Sequence, residues 1–96
     1  MSAAAHAPHR DGDALAFAGA LTRAQVPALW RQCVSLLDGV RRFDLGAVDQ
    51  VDSAGLAMLA ELAARAGAVE VSGTPPGLAE LRAAYRLDDA LGFARG

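Results

Sequence analysis

The side chains that could do chemistry gather in one stretch, Val51-Asp52-Ser53-Ala54-Gly55-Leu56-Ala57, with Asp49 just ahead of it. An apolar, strand-like run ends before it at Phe43-Asp44-Leu45, and an amphipathic pattern follows it as far as Ala66. A serine at such a junction is expected to be an N-cap, its hydroxyl accepting from the free N–H groups of the first helical turn. The hydroxyl then lies at a surface turn beside the positive end of a helix dipole. That position suits a phosphoryl group, or a hydrogen bond from a partner protein. Asp49 and Asp52 could be paired acids, but glycosidase chemistry needs a shaped cleft, and 96 residues are few for one. Their expected role is to shape the turn.

Other chemistries find less support. A nucleophilic Ser53 has no G-x-S-x-G around it, and His6 and His9, the two histidines, fall in an N-terminal arm. Those histidines have no convincing third metal ligand nearby, so no metal site is expected. Gly55 and Gly67 are too far apart for a phosphate cradle and the chain has no Lys, so it should neither bind nor hydrolyse ATP, and no cofactor is expected. A net charge of -2 and a pI of about 5.5 argue against nucleic acid as a partner.

The chain is long enough for one domain with a modest core, over residues 1–96 with 1–9 as a flexible arm. Hydrophobic residues make up 53%, but many are Ala, so the core must rest on a few Leu, Val, Phe and Trp. The single Cys33 cannot form an internal disulfide, which favours a reducing compartment. It falls on the inner stripe of its helix and reads as core, as does Trp30. No apolar run approaches the roughly 18 residues of a spanning helix. The start, MSAAAHAPHR, lacks the apolar segment of a signal peptide. A cytoplasmic protein is expected, without direct membrane insertion, reaching a membrane only through a partner.

The elements that must position the central stretch follow from pattern and punctuation. Residues 6–10 read as a short edge strand, because Pro8 cannot donate to a ladder, and Asp11-Gly12 as a hairpin turn. Residues 14–18 alternate as a strand with Leu15 and Phe17 on one face, and Gly19 closes it. Thr22 and Gln25 form a capping box for a helix over 23–37, stopped by Gly39. A strand over 40–45 and a helix over 54–66, stopped by Gly67, flank the central stretch. Val69 and Val71 give a short strand ending at Gly73. Thr74-Pro75 then opens a third helix to about residue 86, with Leu78, Leu81 and Tyr85 as its inner stripe. Leu87, Leu91 and Phe93 are expected to fold back onto the core. The order is β-β-α-β-α-β-α, an α/β fold whose small mixed sheet carries its helices mainly on one face.

This order, with an Asp-Ser pair, a Gly and a Leu at the turn after the third strand, resembles the STAS domain. That family includes the anti-sigma factor antagonists and the cytoplasmic ends of sulfate transporters. Asp52, Ser53, Gly55 and Leu56 match its signature position by position, and the likeness covers about residues 10 to 93. Within the family the chain is most similar to the MlaB-like subgroup, the small STAS subunits of bacterial phospholipid-transport ABC complexes. The points of likeness are the compact length, Pro27-Ala28-Leu29-Trp30, the strand FDL before VDSAGLA, and the ending around Leu81, Ala84, Tyr85, Arg86 and Leu87.

The resemblance implies docking rather than catalysis. In the MlaB-like subgroup the motif-bearing helix packs on the nucleotide-binding ATPase subunit (MlaF-like) and supports its assembly or activity, at the inner-membrane face. In the antagonists the serine matching Ser53 is phosphorylated by a partner kinase, which breaks the complex with the anti-sigma factor. A helical wheel at 100° per residue places Leu56, Leu59, Ala60, Ala63 and Ala66 inward, and Ala54, Ala57, Met58, Glu61 and Arg65 outward. The expected docking surface therefore comprises Asp49, Asp52, Ser53, Ala54, Gly55, Ala57, Met58 and Glu61. An outward Met58 would stand where a plain surface carries a charge.

Overall fold

A computed structural model describes residues 7–67 and 69–85. Its elements are β1 (His9–Asp11), β2 (Ala14–Leu21), α1 (Val26–Val34), β3 (Arg42–Val51), α2 (Ser53–Ala66), β4 (Glu70–Ser72) and α3 (Leu78–Ala84). The expected element order is the observed one. The four strands lie side by side in chain order, β1 antiparallel to β2, and β2, β3 and β4 mutually parallel. Of the edge strand expected over 6–10, His9 and Arg10 lie in β1, where His9, also placed in the N-terminal arm, pairs with Ala16. His6, the remainder of the N-terminal arm, Arg86 and the segment carrying Leu87, Leu91 and Phe93 lie outside the described residues.

The core forms on one face of the sheet. Leu15, Phe17 and Leu21 of β2 and Phe43, Leu45, Val48 and Val51 of β3 are buried, with Leu29 and Cys33 of α1 and Leu56, Leu59 and Leu62 of α2 against them. Phe17 and Phe43 meet edge to face at 5.5 Å, a preferred geometry for aromatic pairs. The other face carries small or charged side chains, among them half-buried Ala14, Ala16 and Ala18 and exposed Arg42 and Asp44. Burial pushes the Cys33 thiol up to about 12, so it behaves as a small apolar side chain.

Several boundaries differ from the sequence expectation: β1 is His9–Asp11 rather than 6–10, and β2, expected over 14–18 and closed by Gly19, runs on to Leu21. The strand expected over 40–45 continues to Val51. Its register against β2 shifts twice, between Ala16 and Ala18 and between Gly19 and Ala20, each time with an extra residue on β3. Bulges of this kind break the period of two that marks a strand in sequence. Helix α1 starts at Val26, not at Arg23, and ends at Val34 with Ser35 as its C-cap. A start at Arg23 would put Pro27 in the helix interior, against the carbonyl of Arg23. No reciprocal capping box forms: the Thr22 carbonyl accepts from Gln25 and Val26, and the Thr22 hydroxyl donates to the Gln25 side-chain carbonyl. Helix α3 begins at Leu78, after Gly77, because Pro76 excludes Pro75 from helical conformation.

Two connections hold the sheet edges. The Arg10 guanidinium donates to the carbonyls of Gly12, Leu36 and Asp38, tying the first hairpin to the chain leaving α1. On the far side, β4 pairs with only Arg42, Phe43 and Asp44 of β3. Residues 73–77 cover the rest of that edge. Gly73, at φ 91°, crosses so tightly that a Cβ there would fall 2.6 Å from the Gly46 nitrogen, and Gly77 passes the Val51 carbonyl.

Candidate functional site

The parallel pairing of β2 and β3 brings their C-terminal ends, Leu21 and Val51, side by side. The chain leaves both strands at one end of the sheet, so Arg23 and Asp52 become neighbours. Asp52 is extended, at φ -108° and ψ -176°, and it is the N-cap of α2. Its Oδ1 accepts from the Gly55 N–H at 2.9 Å and its Oδ2 from the Arg23 N–H at 2.9 Å. Its own N–H donates to the Leu21 carbonyl at 3.2 Å. One carboxylate thus binds β2's exit, β3's end and α2's first turn together. The hydrogen bonds from Gly55 and then Arg23 hold the Asp52 carboxyl below its ordinary range, against a smaller opposing effect of burial.

The expected cap, Ser53, is therefore displaced by its neighbour. Both residue types cap helices well, but α2 begins one residue earlier than its expected start, so Ser53 is already helical and Asp52 takes the cap. Ser53 is exposed, and among the described residues its hydroxyl makes no hydrogen bond. Gly55 has a packing reason. A Cβ at that position would lie 1.9 Å from the Leu21 carbonyl oxygen, so only glycine lets the first turn of α2 sit on the end of β2.

Helix α2 is rotated relative to the expected wheel. Met58 is buried, 4% exposed, and Leu62 is fully buried, while Ala60 is only half-buried. The buried arc is wider than a single stripe because α2 packs on α1 and α3 as well as on the sheet. Met58 fills core space, a role its flexible thioether suits, and it does not belong to the outer surface. Outward-facing residues are Ser53, Ala57, Glu61, Ala64 and Arg65, with Ala54 at the margin. Glu61 stands 4.0 Å from Arg65 one turn on, and the Arg65 guanidinium lies 5.0 Å from the centre of the half-buried Trp30 ring. Asp49 is exposed on β3, at the second register shift, and does not join the group around Asp52.

The remaining residues border an open cavity of about 540 Å³. Arg23, Asp52, Ser53 and Ala54 line it together with Leu56, Ala57, Ala60 and Tyr85. Sequence reasoning missed Arg23 and Tyr85. Parallel pairing of the second and third strands was the signal for Arg23, since it puts both exits at one end. Tyr85, expected on an inner stripe, is 47% exposed, with its side chain against the cavity. No group of three or more His, Cys, Asp or Glu among the described residues could hold a metal ion. No described helix is long and apolar enough to cross a membrane.

This geometry presents a recess with small apolar walls and a polar rim. Among the described residues the Ser53 hydroxyl makes no hydrogen bond, and the adjacent Asp52 carboxylate accepts two backbone N–H groups. The family profile described as "Mlab, STAS domain" matches residues 5–92. No curated protein matches the chain.

Proposed function

The chain belongs to the STAS family in its MlaB branch, and from that premise we propose that it is the non-catalytic subunit of a bacterial ABC-type phospholipid-transport complex. It binds and supports the nucleotide-binding ATPase subunit through the Asp52-Ser53 turn and the exposed face of α2. It then sits at the cytoplasmic face of the inner membrane by way of that subunit. STAS domains are in general binding and regulatory domains, and the match covers most of the chain.

The observation that carries the reading is the recess beside α2, where Ala57 and Ala60 let a partner backbone come close. Asp52 and Ser53 at the rim orient the partner more than they add affinity. Affinity purification of the chain from its native cell should recover an ATPase with a Walker motif. Ala57→Arg should weaken that complex by about 2 kcal/mol or more, roughly thirtyfold, with circular dichroism unchanged. Arg31→Glu, on the exposed side of α1, serves as the control. Recovery of a kinase-like anti-sigma factor in place of the ATPase would overturn the transport assignment.

One observation favours a second reading, an anti-sigma factor antagonist regulated by phosphorylation of Ser53. The Ser53 hydroxyl is exposed and unbonded at the start of a helix, open to a kinase. A phosphoryl group adds about -1.5 to -2 charge, beside the Asp52 carboxylate. In either reading Ser53→Glu should cost more binding than Ser53→Ala.

A further inference from the structure

No further inference is drawn: the strongest candidate, the open recess beside α2 bordered by Arg23, Asp52, Ala57 and Tyr85, belongs to the site already described, and nothing in the structure shows what covers it.

Discussion

Two aspartates mark opposite ends of the β2–β3 pair, and they are held differently. At the C-terminal end, Asp52 accepts two backbone N–H groups from two different segments. At the N-terminal end, Asp13 meets the Arg42 guanidinium at 3.1 Å, with both side chains about half exposed. Each aspartate borders an open cavity of similar size, about 540 Å³ beside Asp52 and about 470 Å³ beside Asp13. The second is lined by Asp13, Arg41, Arg42, Val69 and Glu70, four charged side chains and one apolar. Exposed ion pairs contribute about 0–1 kcal/mol and weaken with salt. A carboxylate fed by backbone donors is fixed by the fold itself. The carboxylate of the Asp52 recess is thus engaged by the fold, beside small apolar walls, while the second cavity is lined mainly by charged side chains.

Substitutions at three positions can break or sharpen this contrast. The largest effect is expected from Gly55→Val, which drives side-chain carbon into the Leu21 carbonyl. Either α2 lifts from β2 or the chain unfolds, and a loss of about 3 kcal/mol or more is expected in urea melts. A normal melt would mean that α2 does not rest on the strand end. Asp52→Ala comes next, at about 1–2 kcal/mol for a lost cap. Asp52→Asn should fall between, because its single carbonyl oxygen can serve Gly55 or Arg23 but not both.

The same carboxyl gives a pH signature. Its folded value is lowered, so its contribution is complete above the unfolded carboxylate range, about 4. It is lost as pH falls through the lowered folded value. Asp52→Ala should erase that part of the acid sensitivity. The smallest effect is expected from Asp13→Ala, under about 1 kcal/mol and vanishing in high salt. A larger loss than for Asp52→Ala would reverse the comparison.

The order of elements was legible because Gly, Pro and alternating apolar residues punctuate the chain. The site was legible in part. Asp52, Ser53, Ala54 and Ala57 do line the recess, since the end of a strand and the start of a helix are adjacent in sequence. What stayed hidden depends on contacts between distant segments. Which of two adjacent capping residues takes the cap depends on where α2 begins. The Arg23 N–H shows that choice only in three dimensions, because it comes from another strand's exit. Met58 and Tyr85 exchanged roles, one going in and the other out, because a wheel drawn on one helix cannot register which neighbours press on it. Asp49 was misplaced because the bulges in β3 keep it on the strand, ahead of the turn.

The covered edge of β3 bears on how this protein behaves in concentrated solution. Seven of the ten residues of β3 have no β4 partner, and a bare parallel edge invites another chain to add a strand. Residues 73–77 run along that edge and include Pro75 and Pro76, which have no N–H to offer. The segment shields the strand without being a strand, and it presents little ladder for a further chain to extend. The same short loop that carries the chain to α3 also guards against edge-to-edge aggregation.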